Sequence, residues 1–151
     1  MGKIYIMRHG DYESASLSRA LTPEGVGDVQ KVARYLKDQC RVQVQAIWHS
    51  PKERAVETAR ILGQILECQD FQQKEELSPN AFPDRLLQAL QDCDRDVMIV
   101  THLPFIPHLL SKMFSENGHE LPSVFSTASV AMIQRDGEHW AFLNFISPDM
   151  I

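Results

Sequence analysis

Short apolar runs alternate with segments of helical period along most of the chain. Ile4, Tyr5, Ile6 and Met7 form the first run, Val44 to His49 carries the second, and Val97 to Val100 is the third. Runs this short, apolar at successive positions, predict strands buried on both faces of a sheet. Between the first two, Thr22 reads as an N-cap and Pro23 as the first turn of a helix that fades near Gln39. Val26, Val29, Ala33 and Leu36 give that helix one apolar face. Ser50-Pro51-Lys52-Glu53 reads as a capping box, with Ser50 capping, Pro51 opening the first turn and Glu53 reaching back. Ala55, Thr58, Ala59, Leu62 and Leu66 are the buried stripe of this second helix. Phe82, Leu86, Leu87, Leu90 and Cys93 mark a third. Pro104 starts a fourth, with Leu109, Leu110 and Met113 inward and Pro107 early enough to be tolerated. Phe71 to Lys74 predicts a short edge strand. Ser129 to Gln134 and Trp140 to Phe145 predict two more, joined across Asp136-Gly137 as a tight hairpin. The alternation predicts an α/β fold, a mostly parallel sheet with helices on both faces and an antiparallel edge from the hairpin. Asp11 to Leu21 and Gly118 to Phe125 read as loops.

At 151 residues, with no repeat and no linker, the chain reads as a single domain over 1–151. Apolar residues make up 44% and charged residues 23%, ordinary for a globular protein. A net charge of −5 points away from nucleic acid and membrane surfaces. Any phosphate site is then a local positive pocket in an acidic body. Cys40, Cys68 and Cys93 are odd in number and lack CxxC spacing, so they read as reduced thiols of a cytoplasmic protein. No apolar stretch reaches the length of a membrane span, and the start runs straight into a strand, so no signal peptide is expected.

Chemistry gathers at the strand ends. The first run ends in Arg8-His9-Gly10. An arginine offers a fixed fork of donors to phosphate oxygens, a neutral imidazole is a nucleophile near neutral pH, and a glycine lets a ligand approach the backbone. Arg54 lies in the first turns of the second helix, where free N–H groups and the dipole favour an anion. Thr101-His102-Leu103-Pro104 ends the third run. Open α/β sheets bind ligands at the carboxyl ends of their strands, so two histidines and two arginines are brought to one edge. Two arginines and a protonated His102 around a nucleophilic imidazole suit a phosphoryl group. The plain alternatives are a charged triplet that merely ends a strand and an Arg54 that is an exposed helix arginine. His49 reads as a buried or half-buried strand end, His108 as a packed helix residue, and His119 and His139 as loop residues. No HxxxH or His/Cys cluster has ligand spacing, so neither a metal nor another cofactor is expected.

These motifs resemble the histidine phosphatase superfamily, also called phosphoglycerate mutase-like. The resemblance rests on Arg8-His9-Gly10, on Ser50-Pro51 with Arg54-Ala55 and Thr58-Ala59, and on Thr101-His102-Leu103-Pro104. The short chain and Phe125-Ser126-Thr127-Ala128 before a late strand are most similar to the SixA-type phosphohistidine phosphatases. The resemblance implies a three-layer sandwich, His9 as a nucleophile that becomes phosphorylated, and Arg8, Arg54, His102, Gly10 and Leu103 as the phosphate-binding residues.

Larger members carry a Glu or Asp proton donor on an inserted segment. Here the matching region is Glu75-Glu76-Leu77-Ser78-Pro79, with no insertion. Glu76 is the nearest candidate donor and Asp11 a second. Lack of a strong acid suits a labile P–N bond better than an alkyl ester. The connections Asp11 to Leu21, Gln72 to Ala81 and Ser115 to Phe125 are too short for a cap, which predicts an open cleft. The expected partner is therefore a protein bearing phosphohistidine. The alternatives are a small phosphorylated substrate, which makes the chain a phosphomonoesterase, and a phosphate-binding regulatory module without turnover.

Overall fold

The structure is a computed structural model and describes residues 2–15, 19–114 and 121–151. His119 and positions 16–18 and 115–120 of the expected loops lie outside the described residues. Six strands form one sheet: β1 (Lys3–Arg8), β2 (Ala46–His49), β3 (Phe71–Gln73), β4 (Val97–Thr101), β5 (Val130–Asp136) and β6 (His139–Ile146). Four helices intervene: α1 (Pro23–Asp38), α2 (Glu53–Leu66), α3 (Asp84–Gln91) and α4 (Phe105–Phe114). The order is β3-β2-β4-β1-β5-β6. The pairs β3–β2, β2–β4 and β4–β1 are parallel, and β1–β5 and β5–β6 are antiparallel. The antiparallel edge comes from the last hairpin, as expected, with β5 as the reversed strand and β6 running again with the parallel set.

The side chains of β1 alternate between two cores. Ile4 and Ile6 face a cluster with Leu86 and Leu90 of α3 and Phe105 and Leu109 of α4. Tyr5 and Met7 face a cluster with Val29 and Leu36 of α1 and Ala55 and Leu62 of α2. A strand covered on both faces has no use for polar alternation, and that is why its sequence is a continuous apolar run.

Thr22 caps α1 as read, its Oγ1 accepting from the Gly25 N–H at 2.9 Å. The capping box at α2 does not form. The helix begins at Glu53 behind Lys52, with no side-chain cap. Ser50 Oγ instead accepts the Lys52 N–H at 3.2 Å and meets His102 Nε2 at 2.7 Å. Phe82 is not on α3. The helix starts at Asp84 behind Pro83, Leu86 and Leu90 fill its inward face, and Phe82 is 84% exposed. His108 is exposed rather than packed, and His139 opens β6 rather than lying in a loop. The hairpin turns on Gly137-Glu138, with Asp136 paired to His139 and Gly137 at φ +64. Asp136 therefore ends the strand, and glycine alone supplies the left-handed position.

Candidate active site

Strand register brings the motifs together. Arg8 pairs with Thr101 and Val100 with His49, so His9, Ser50 and His102 leave the sheet side by side. The His9 N–H donates to the Thr101 carbonyl at 3.1 Å and the Ser50 N–H to the Val100 carbonyl at 3.1 Å. The His9 and His102 rings lie with centroids 5.0 Å apart. Both histidines are buried.

His9 Nδ1 lies 2.8 Å from the Gly10 carbonyl. A carbonyl only accepts, so Nδ1 carries the proton and Nε2 keeps its lone pair. Burial pushes the His9 imidazole down from its ordinary 6.5 to about 4, against the lift from that hydrogen bond, and Arg54 and Arg8 lower it further. The ring is neutral at neutral pH. Burial likewise lowers His102 to about 3, helped by His9, Arg54, Lys52 and Arg8. The expected protonated His102 is thus a neutral ring in the free protein, because it is buried among positive groups. It still offers one donor. Ser50 Oγ accepts from Lys52 and can donate to Nε2, which leaves the proton on Nδ1.

Arg8 Nη1 donates to the Phe125 carbonyl at 2.9 Å, which fixes the guanidinium. Arg8 Nε, Arg54 Nε and His102 Nδ1 are buried and have no hydrogen-bond partner among the described residues. Buried donors are almost always satisfied, so three such atoms on side chains around His9 make this a candidate anion site. Two features hold the backbone around them. Thr58 Oγ1 donates to the Arg54 carbonyl at 2.8 Å and accepts the Gly10 N–H at 3.0 Å, tying α2 to the end of β1. Ala128, at φ +63, points its N–H at the Arg8 and His9 carbonyls, 3.0 and 3.1 Å away.

Gly10 serves packing. A Cβ there would stand 2.8 Å from Val29 Cγ2 and 3.0 Å from the Gly25 carbonyl. Its N–H is taken by Thr58, so it lends the pocket room for α1 rather than a donor. Leu103 follows His102 with its side chain exposed. Glu76, the candidate donor, lines a cavity with Ala81, Phe82, Asp84 and Arg85, whereas Glu75 lines both that cavity and the one holding Arg54 and Lys52. Asp11 is exposed, and its carboxylate accepts from Thr22 Oγ1 at 3.3 Å at the start of α1. His49 is buried, with Nδ1 3.0 Å from the Ser50 carbonyl. Among the described residues no group of three or more His, Cys, Asp or Glu is placed to hold a metal. No helix among them is long and apolar enough to cross a membrane.

Tyr12 escaped the sequence reading. Its ring stands edge-on to His9 at 5.4 Å, and the Arg54 guanidinium lies over it at 4.5 Å. A bridge to Leu21 holds its backbone. No periodicity marks a lone aromatic in a polar loop, so only the fold reveals it.

A sequence model of the histidine phosphatase superfamily (branch 1) matches residues 4–82. No curated protein sequence matches the chain significantly. Solved structures do. The protein histidine phosphatase SixA complexed with tungstate is 28% identical, with a TM-score of 0.87 over 98% of each chain. A candidate phosphohistidine phosphatase SixA from Agrobacterium tumefaciens is 24% identical, with a TM-score of 0.80 over 97% of this chain and 98% of that one. The phosphoserine phosphatase of Entamoeba histolytica, solved with 3-phosphoglyceric acid, is 16% identical, with a TM-score of 0.75 over 97% and 98%. The last two show a shared fold alone. The matched segment carries Arg8-His9-Gly10 and Arg54, spans more than half of the sequence, and makes this chain a member of the histidine phosphatase superfamily.

Proposed function

We propose that this chain is a phosphatase that removes phosphate from phosphohistidine on a protein, through a phosphorylated His9. The observation that carries the reading is the pairing of a free Nε2 on His9 with the buried, unpartnered donors of Arg8, Arg54 and His102. His9 Nε2 attacks phosphorus in line. The P–N bond to the substrate imidazole breaks, and that nitrogen takes a proton from water. Arg8, Arg54 and His102 Nδ1–H hold the non-bridging oxygens as charge moves through them. Water then attacks the phosphorus, the bond to His9 Nε2 breaks, and inorganic phosphate leaves with the proton balance met by solvent.

Two features support a protein substrate. We read the chain as one domain over 1–151 without a cap, and the 3₁₀ turn Glu75–Leu77 with its flanking turns is all that stands between β3 and α3 beside the Arg54 cavity. Thr101 Oγ1 donates to the Leu77 carbonyl at 2.7 Å and holds that turn against β4, which supports an open cleft on that side. Among the described residues no carboxylate is hydrogen-bonded to Arg8 Nε, Arg54 Nε or His102 Nδ1, and a P–N bond needs little help from an acid. The second reading is a small-molecule phosphomonoesterase, favoured by Glu75 in the Arg54 cavity, where it would serve as the acid. A panel of a phosphohistidine protein, free phosphohistidine and sugar and glycerate phosphates at matched pH tests the choice. The protein is expected to give the highest kcat/KM, and a ranking led by the sugar or glycerate phosphates overturns it.

A further inference from the structure

The exposed large apolar side chains among the described residues are Phe71, Phe82, Leu103, Val124, Leu143 and Met150. Half of them sit on segments that border the His9 pocket. Leu103 directly follows His102. Val124, 73% exposed, directly precedes Phe125, whose carbonyl holds Arg8. Phe82 directly follows Ala81, which lines the Arg54 cavity. Nothing in the fold requires Phe82 to stand in water, since α3 is already packed through Leu86 and Leu90.

The cavities beside Phe82 run together. The Arg54 cavity, about 570 Å³, shares Glu75 and Ala81 with a cavity of about 450 Å³ that Phe82 also lines. Phe82 in turn lines a third cavity, about 510 Å³, with Pro83, His108, Ser111 and Lys112 on the outer face of α4. Lys112 is paired there with Asp84 at 3.3 Å. Cavities that share lining residues therefore lead from Arg54 past Phe82 to α4, where Phe82 and Pro83 supply apolar surface and the charge of Lys112 is met by Asp84.

A small phosphate in the pocket leaves Phe82 and Val124 in water. A folded protein that presents a phosphorylated side chain to the pocket covers both. A second copy of this chain seated on the rim would block the pocket that the substrate must enter. We propose that Phe82 and Val124 form an apolar docking rim, and that the partner is a protein carrying apolar side chains on the same face as its phosphohistidine. The inference rests on the function proposed above and adds what the partner looks like. An exposed aromatic beside such a pocket is the residue type that carries interface energy once a partner buries it.

The test uses helical peptides phosphorylated on one histidine with phosphoramidate. One peptide carries Leu three and four residues to either side of that histidine, and its match carries Ser. The wild type should prefer the Leu peptide by about tenfold in kcat/KM, the size of effect one aromatic contact supports. Phe82→Ser with Val124→Ser should shrink that preference to within about twofold, while hydrolysis of free phosphohistidine stays within about twofold of wild type. An equal rate on both peptides by the wild type, an unshrunk preference in the double variant, or a parallel loss on free phosphohistidine overturns the docking rim. A wild type that hydrolyses a chromogenic ester but neither peptide nor free phosphohistidine overturns the proposed function itself.

Discussion

At the carboxyl ends of β1, β2 and β4, His9, Ser50 and His102 are no more than 3% exposed, while Phe82 and Val124 on the neighbouring segments stand 84% and 73% exposed. Inside, the polar atoms are held by backbone. Gly10 takes His9 Nδ1, Phe125 takes Arg8, and Thr58 locks the turn that carries Arg54. Such a pocket is set before substrate arrives and pays no reorganisation at the chemical step. Outside, the apolar side chains find no cover within the described chain. One region therefore fixes the reaction and the other is free to fix the partner. Damage to the pocket should reach every substrate alike, and damage to the rim only a bulky one.

The sharpest break of that contrast is His9→Ala. Removal of the proposed nucleophile should cost at least about a thousandfold on ester, free phosphohistidine and protein alike, in the range that loss of a covalent catalyst costs elsewhere. The fold should survive, because the residue ends a strand and does not fill either core. Acid-labile phosphate trapped on the wild type and missing from the variant is the matching signature. Residual turnover near the wild-type level would remove His9 from the mechanism.

Arg54→Lys comes next. Lysine keeps the charge and loses the planar fork, including the Nε donor that is buried without a partner. Loss of one charge-assisted contact should cost about 2 kcal/mol, close to thirtyfold in kcat/KM. The loss should be the same for small and large substrates. An effect confined to the protein substrate would move Arg54 from pocket to rim.

These two residues also show what the sequence makes legible. The buried strands were readable because a strand covered on both faces is written as an apolar run, and the chemistry was readable because it sits where those runs stop. Other features depend on space, which spacing along the chain does not encode. Ser50-Pro51-Lys52-Glu53 satisfies the pattern of a capping box, yet the Ser50 hydroxyl is held against His102 from a different strand. Of the adjacent acids the sequence singles out Glu76, yet in the 3₁₀ turn it is Glu75 that shares the cavity of Arg54. The neutral charge state of His102 in the free chain is hidden from the sequence for the same reason, since burial beside cations is a property of the fold.

That charge gives a pH test of the pocket. His9 titrates near 6.5 when unfolded and near 4 in the folded chain. Below pH 6.5 the unfolded chain binds a proton that the folded one refuses, so stability falls as pH falls from about 6.5 to about 4, and it is fully recovered above. Activity behaves differently. An ordinary histidine would be about one-tenth neutral at pH 5.5, whereas His9 remains largely neutral there. With a chromogenic ester, corrected for its own titration and with the fold verified by circular dichroism, kcat/KM should hold at pH 5.5 and its acid limb should lie below 5. An acid limb centred at 6.5 would show that the pocket does not suppress the charge of His9.

Tyr12 gives the smallest effect and the finest distinction, because it sits between the two regions. It comes from a polar loop, as the rim does, yet its ring touches both His9, the proposed nucleophile, and Arg54 of the proposed phosphate pocket. Those contacts use the ring face and edge. A cation held over an aromatic face contributes about 1 kcal/mol when partly desolvated, so loss of the ring should cost about fivefold. Tyr12→Phe keeps the ring and should retain activity within about twofold. Tyr12→Ala should lose about fivefold in kcat on small and large substrates alike, as Arg54 loses its rest position, and should raise the acid limb as water reaches His9. A loss seen only with the protein substrate would make Tyr12 part of the rim. A loss in Tyr12→Phe equal to that in Tyr12→Ala would assign the effect to the hydroxyl and overturn the ring contact as its cause.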